Sequence, residues 1–380
     1  MTAAKRSLRV VTLGLSIGSS WGNGHATTYR SLLGALAARG ASVLFLERDV
    51  PWYAAHRDYG GEPGVGVKFY SSLADLKRRF RSAIRSADVV LVGSYVPQGI
   101  EIGAWVQREA QGLVAFYDID TPVTLAALEA GRCEYISRRL LPGYGLYLSF
   151  TGGPALTRLR TLGARCVRPL YCAVDPELHR PVSCPLTWDV GYLGTYAADR
   201  QPQLDELLLD VARERPDSRF AVAGAQYPAD LAWPGNVDHV EHVPPAHHSE
   251  FYLRQRFTLN ITRAEMRRLG HSPSVRLFEA AACGAAIVSD AWPGLEEIFE
   301  PGCEVLIARS RKDVLSYLTW PDERRVSLGR RARARVLAAH TSVHRAIEFE
   351  DYVADAIRPG TAVDPLRTAT ASLRLPAGEP

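Results

Sequence analysis

Short, mostly apolar runs recur along the first half of the chain, at 8–15 (LRVVTLGL), 42–47 (SVLFLE), 66–70, 88–93 (DVVLVG), 112–118 (GLVAFYD), 145–150 (GLYLSF) and 165–170. Runs this short, with little polar alternation, are buried on both faces, as strands of a parallel sheet are. Between them the period changes. Tyr29, Leu32, Leu33 and Leu36 repeat at helical spacing over about 25–39, and further helical patterns cover 73–85 and 124–139. Strand, loop, helix and strand in that order require a right-handed crossover between parallel neighbours.

The alternation restarts after a stretch with no period. Residues 172–187 hold Pro176, Pro181 and Pro185 and read as a linker. Strands are then predicted at 188–193 (WDVGYL), 219–223, 237–241, 257–261, 285–288 and near 304–308. Helices are predicted at 201–214, 246–255, 311–319, 323–339 and 342–357. The expected organisation is a first α/β domain over 1–171, the linker 172–187 and a second α/β domain over 188–340. A terminal helix follows over 341–358, with a disordered Pro-, Ala- and Thr-rich tail over 359–380. Ligands of open α/β sheets bind beyond the carboxyl ends of the strands, so two such domains imply a cleft between them.

The most informative stretch is HSPSVRLFEAAACGAAIVSD, 271–290. Ser272 or Ser274 can cap a helix, with Pro273 in its first turn. Leu277, Phe278, Ala281 and Ala282 give it an apolar stripe, and Gly284 marks its end. A strand over 285–288 follows, then a polar loop at Ser289 and Asp290. Glu279 interrupts the apolar stripe, so it faces either Arg276 three residues back or a ligand. The free amides at the helix start, near Ser274 and Val275, suit a diphosphate, with Arg276 or Arg263 adding charge.

Other stretches carry chemistry less directly. In GYLGTYAADRQP, 191–202, a strand ends at Gly194 and Thr195, and the loop can bring amides and Arg200 to phosphate oxygens; the alternative is an ordinary helix start. In SSWGNGHATT, 19–28, Gly22 and Gly24 with the later Glu47 form a poor dinucleotide fingerprint, since Thr27 stands at the third glycine position. His25 lies at the start of the next helix, where the dipole favours neutral imidazole. In FYDIDTP, 116–122, Asp118 and Asp120 alternate, so both can point to one side as base or acceptor ligand; the alternative is a strand-end acceptor and a helix cap. The histidines of VEHVPPAHHSEF, 240–251, are interrupted by Pro244 and Pro245, and their spacing makes no facial metal set.

Composition narrows the function. Net charge is +4, too little by itself for a nucleic-acid binder but suited to a cleft for a small anion. The six cysteines show no CxxC pair and no zinc spacing. MTAAKRSLRVVTLGL lacks the plan of a signal peptide, and no run reaches the roughly 18 apolar residues of a membrane span, so a cytoplasmic location is expected.

SVRLFEAAACGAAIVSD resembles the donor-nucleotide segment of GT-B glycosyltransferases, in particular the group related to the spore maturation protein CgeB. The resemblance is closest over about 188–340. It implies two Rossmann-like domains facing across a cleft, and transfer of a sugar from a nucleoside diphosphate sugar to an acceptor hydroxyl. By the same resemblance Glu279 holds the ribose, and Ser274, Val275, Arg276 and Arg263 face the diphosphate. Gly194, Thr195 and Arg200 match a phosphate loop, while His242 and Val243 match a nucleobase loop. Gly24 and His25 match a glycine-rich loop whose histidine touches the donor or acts as base, and Asp120, with Asp118 beside it, completes the catalytic set. Many retaining relatives carry a second glutamate eight residues before the first. Here that donor position is His271, which leaves the stereochemical outcome open. The implied donor is UDP-linked first, TDP- or GDP-linked otherwise, with no metal or cofactor. The implied acceptor is a small molecule, glycan or protein, the chain a monomer or homodimer. A nucleotide-sugar epimerase and a non-catalytic nucleotide-sugar binding protein are the alternatives.

Overall fold

The computed structural model describes residues 7–358, so the expectation for the tail 359–380 falls outside it. The first half builds β1 (Arg9–Gly14), α1 (Gly24–Ala38), β2 (Ser42–Arg48), α2 (Pro51–Ala54), β3 (Val65–Tyr70), α3 (Leu73–Ser86) and β4 (Val89–Gly93). It continues with α4 (Gly99–Glu109), β5 (Leu113–Asp118), α5 (Thr121–Glu129), β6 (Leu146–Ser149), α6 (Pro154–Thr161) and β7 (Val167–Pro169). All seven strands pair in parallel, in the order β3-β2-β1-β4-β5-β6-β7. Their apolar runs are covered on both faces, and Val89, Val90, Leu91 and Val92 are fully buried.

The second half repeats the plan. Its strands are β8 (Trp188–Leu193), β9 (Phe220–Ala223), β10 (Val237–Val240), β11 (Gln255–Asn260), β12 (Ile287–Asp290) and β13 (Leu306–Ala308), all parallel, in the order β10-β9-β8-β11-β12-β13. The helices between them are α7 (Gln201–Leu204), which runs through a π turn at Asp205–Leu209 into α8 (Asp210–Glu214), then α9 (His248–Leu253), α10 (Ala264–Leu269) and α11 (Val275–Cys283). After β13 come α12 (Arg311–Leu318), α13 (Asp322–Ala339) and α14 (Ser342–Ile357). In each sheet the strand order reverses beside its first strand, at β1/β4 and at β8/β11, and such reversals open a crevice at the carboxyl edge.

Several expectations are corrected. The helix expected over 124–139 is only α5, because Ala130 closes it and Gly131 turns left-handed at φ 66°. Pro273 precedes α11 rather than lying in its first turn. Ser289 and Asp290 belong to β12, since they pair with Asn260, Ile307 and Ala308. The helix expected over 246–255 stops at Leu253, and β11 begins at Gln255. The helices α2, α4, α6 and α10 were not foreseen.

The core gathers around α11. Residues Leu277 to Cys283 are all buried, and its three alanines let it lie close to the second sheet. Gly284 ends it in the left-handed region at φ 82°. Helix α13 crosses there so closely that a Cβ on Gly329 would lie 2.1 Å from the Gly284 carbonyl oxygen. Helix α14 returns to the first half and packs on α1, with Ala346, Phe349 and Val353 buried and Arg39 paired to Glu350 at 2.9 Å. Val174 and Thr341, on the two segments that join the halves, form a parallel bridge. Among the described residues no helix is long and apolar enough to cross a membrane.

Candidate functional site

A cavity of about 500 Å³ lies between the carboxyl edges of the two sheets. The first half lines it with the loops after β1, β4, β5 and β6. The second half lines it with the loops after β8 to β11 and with the start of α11.

Glu279 is 2% exposed and reaches the cavity wall from α11. It does not pair with Arg276. Tyr252 donates its hydroxyl to Glu279 Oε2 at 2.9 Å, His248 Nδ1 stands 3.4 Å from the same oxygen, and His179 Nε2 stands 3.7 Å from Oε1. Oε1 has no hydrogen-bond partner among the described residues. Burial works to raise the Glu279 pKa, but the two imidazoles and the Tyr252 hydroxyl outweigh it and hold the carboxyl at about 2.

Arg276 turns the other way. Its guanidinium donates to the Leu193 carbonyl and, at 2.9 Å, to Asn260 Oδ1, and it lies 4.6 Å from the centre of the Tyr192 ring. A Cβ on Gly194 would come within 2.7 Å of this guanidinium, so a larger residue in the loop after β8 would push Arg276 aside. Ser274 occupies the cap position of α11, yet its hydroxyl donates to Asn260 Oδ1 at 2.7 Å, and no side chain caps the helix. Ser274, Val275 and Arg276 therefore line the cavity at an uncapped helix start. Thr195 and Arg200 line it as well, with Arg200 donating to the Thr195 carbonyl. Arg263, from the loop after β11, lies 3.6 Å from both Asp199 of its own half and Asp120 of the other. Three guanidinium groups thus face one cavity, a field that favours an anion.

On the opposite wall, Asn23 accepts the His25 amide at the start of α1. The half-buried His25 ring lies edge-on to Tyr95, with Nε2 4.0 Å from Asp120 Oδ2. Burial lowers its pKa and the Asp120 charge opposes that, so neutral imidazole is the favoured form. Tyr95 donates to Asp120 Oδ2 at 3.0 Å. Asp118 does not share this wall, contrary to the expectation that both acids point to one side. It is fully buried, accepting from Tyr147 and Thr124 at 2.7 Å, and burial, against those bonds, raises its pKa to about 6. Glu47 is not a ribose ligand of a dinucleotide fold. Its carboxylate accepts the Ile17 and Gly18 amides and the Ser16 hydroxyl, and so shapes the loop after β1.

Gly24, His242 and Val243 also line the cavity. His242 lies 4.8 Å from Trp21, which in turn stacks on His56 at 4.6 Å, so rings from both halves meet at the mouth. His271 is corrected: it is absent from the cavity wall. It sits at φ 50°, accepts the Gly152 amide at 2.9 Å, and covers Gly153, where a Cβ would strike its ring. With Thr151 bonded to Ser272 at 2.7 Å, this segment joins the halves. Tyr95, Tyr252, Asn260 and His179 were missed. Asn260, a polar end to the buried strand FTLNI, and Tyr95, in the loop after a central strand, carried a readable signal; His179 carried none.

Two doubly wound parallel sheets facing each other across a ligand-sized cavity are the GT-B architecture. Consistent with this, the model of a family described as glycosyl transferase-like matches residues 200–351. No curated protein matches the chain. The sucrose-phosphate synthase of Thermosynechococcus elongatus is similar in structure at 15% identity, covering 91% of this chain and 98% of its own, with a TM-score of 0.69. Anabaena HepE in complex with UDP-glucose is similar at 12% identity, covering 92% and 100%, with a TM-score of 0.67. An α-glucosyltransferase in complex with UDP and a 13-mer DNA is similar at 12% identity over the same shares, with a TM-score of 0.70.

Proposed function

We propose that this chain transfers a sugar from a nucleoside diphosphate sugar to an acceptor hydroxyl, with UDP as the carrier. The observation that carries the reading is the unpartnered Oε1 of the buried Glu279, set in the same cavity as three arginines. A charged acceptor of this kind suits the vicinal hydroxyls of a ribose. Arg200, Arg263, Arg276 and the uncapped start of α11 would stabilise the departing diphosphate, which removes the need for a metal in the transfer. Two of the similar structures are complexes with UDP-glucose or UDP, which supports the choice of carrier. His25 is the base we favour, with Asp120 4.0 Å away to stabilise its charged form. The acceptor we take to be a small molecule, glycan or protein, since a net charge of +4 offers little for a nucleic-acid backbone. The motif at 271–290 supports a place near the CgeB group.

Calorimetry with UDP, GDP and TDP tests the donor site. Glu279→Ala should weaken UDP about 10- to 150-fold, the worth of a charged hydrogen bond of about 1.5–3 kcal/mol. Unchanged affinity would remove the ribose assignment. One observation favours a non-catalytic binding protein: His271, in place of a second acid, is turned out of the cavity. Release or transfer of sugar from UDP-sugars in acceptor mixtures excludes that reading.

A further inference from the structure

His179, His248 and Glu279 come from three separate parts of the chain: the segment joining the halves, the first residue of α9 and the middle of α11. Each offers a ligand atom, and these atoms lie within 4.8 Å of one another. Both ring nitrogens of His179, Nδ1 of His248 and Oε1 of Glu279 have no hydrogen-bond partner among the described residues. His179 is 1% exposed and Glu279 2%, so neither can turn to water. Four unpartnered polar atoms in one buried cluster are costly unless something sits among them.

The geometry indicates what that is. The separations of 3.4 Å (His248 to Glu279) and 3.7 Å (His179 to Glu279) are long for hydrogen bonds. The first is to Oε2 and the second to Oε1, and each is near the roughly 3.3 Å between ligand atoms of a tetrahedral ion with bonds of about 2.0–2.1 Å, so an ion can sit against the carboxylate between the two rings. His248 Nε2 stands 3.1 Å from the Val243 carbonyl, which only accepts, so Nε2 carries a proton and, in the neutral ring, Nδ1 offers its lone pair on the side of Glu279. A proton between His248 and Glu279 would leave both nitrogens of His179 without a partner; a cation engages one nitrogen of each ring and the carboxylate together. The outer contacts fit too: Val243 orients His248, and Tyr252 donates to Glu279 at 2.9 Å, as the partners of metal ligands do.

We infer that these three side chains bind one divalent transition-metal ion of the zinc class. Two imidazoles and a carboxylate select zinc, cobalt, nickel or copper over magnesium and calcium, which take oxygen ligands. His248 and Glu279 line the cavity, so the fourth position opens to the cleft and takes water or an exchangeable ligand. The consequence for the cleft rests on the ribose assignment of Glu279. One carboxylate cannot serve both partners, so the metal withdraws it from the nucleotide and acts as an inhibitor of donor binding.

Cobalt titration of the full chain after chelator treatment tests the site. One equivalent of Co²⁺ should bind with visible ligand-field bands, and zinc should displace it. His179→Ala and His248→Ala should each weaken cobalt binding at least tenfold; a folded variant of either kind, judged by its far-UV circular dichroism, decides the matter. Absence of the bands in the native protein, or bands unchanged in a folded variant, overturns the site. UDP should lower the cobalt occupancy. Cobalt binding that is lost in the variants but indifferent to UDP leaves the metal site standing and refutes the ribose role of Glu279 instead.

Discussion

His25 stands at the start of a helix with its ring largely withdrawn from water, and both circumstances oppose a positive charge there; only Asp120 favours it. Its pKa in the folded chain therefore lies below the ordinary 6.5. The unfolded chain takes up this proton first as the pH falls, so the contribution of neutral His25 to stability is complete above about pH 6.5. It is lost below that point, and each tenfold difference in proton affinity between the two states is worth about 1.4 kcal/mol. Titration of His25 by NMR, assigned with His25→Gln, should give a midpoint below 6.5, and Asp120→Asn should move it lower still. An upward movement in that variant would mean that Asp120 does not face the ring. Much of this wall was legible in the sequence, because glycines, a histidine and acids at the ends of apolar runs must fall at the sheet's edge. Asp118 was misjudged because side-chain alternation gives the facing of a strand residue only while the strand lasts, and β5 ends there. His179 was illegible: it lies in a proline-rich segment without period and meets Glu279, a hundred positions further on, only through the fold.

Strand and helix identities followed from the two apolar periods, since burial on both faces leaves each strand as an unbroken run. The ends did not follow so well. β12 extends through Ser289 and Asp290 because the Asp290 carboxylate accepts the Thr262 amide and hydroxyl, a tertiary contact that replaces the polar loop. The short helices α6 and α10 add too few turns to show a period. Helix α11 depends on a neighbour in a way its own sequence does not state. Gly329 allows α13 to lie against the Gly284 carbonyl, and Arg333 of α13 donates to the Ala282 carbonyl at 3.0 Å. Gly329→Ala must part the two helices, since its Cβ would meet backbone rather than a flexible side chain. Overpacking of this kind costs about 1–3 kcal/mol. The urea midpoint should fall accordingly, and UDP should bind more weakly because Arg276 and Glu279 move with α11. A midpoint within error of the native protein would show that α13 does not press on this turn.

Across the whole molecule, α14 makes the second half depend on the first. Phe349 is fully buried between α14 and the first sheet's helices, and a Phe→Ala change in such a place costs about 3–5 kcal/mol. Phe349→Ala should lower stability by that order in denaturant, and a glutamate-specific protease should cut faster at the exposed Glu177, in the segment that joins the halves. Equal cutting of both proteins would show that α14 does not guard that segment. The chain passes between the halves twice, and the two passages are bonded to each other: Val174 donates to the His340 carbonyl at 3.2 Å and Ser342 to the Val174 carbonyl at 2.8 Å. Two strings tied at one spot act as a single spine. Like the covers of a book, the halves share that spine at Val174 and Thr341, and a swing about it must first part the Thr151–Ser272 and Gly152–His271 bonds that latch the pages.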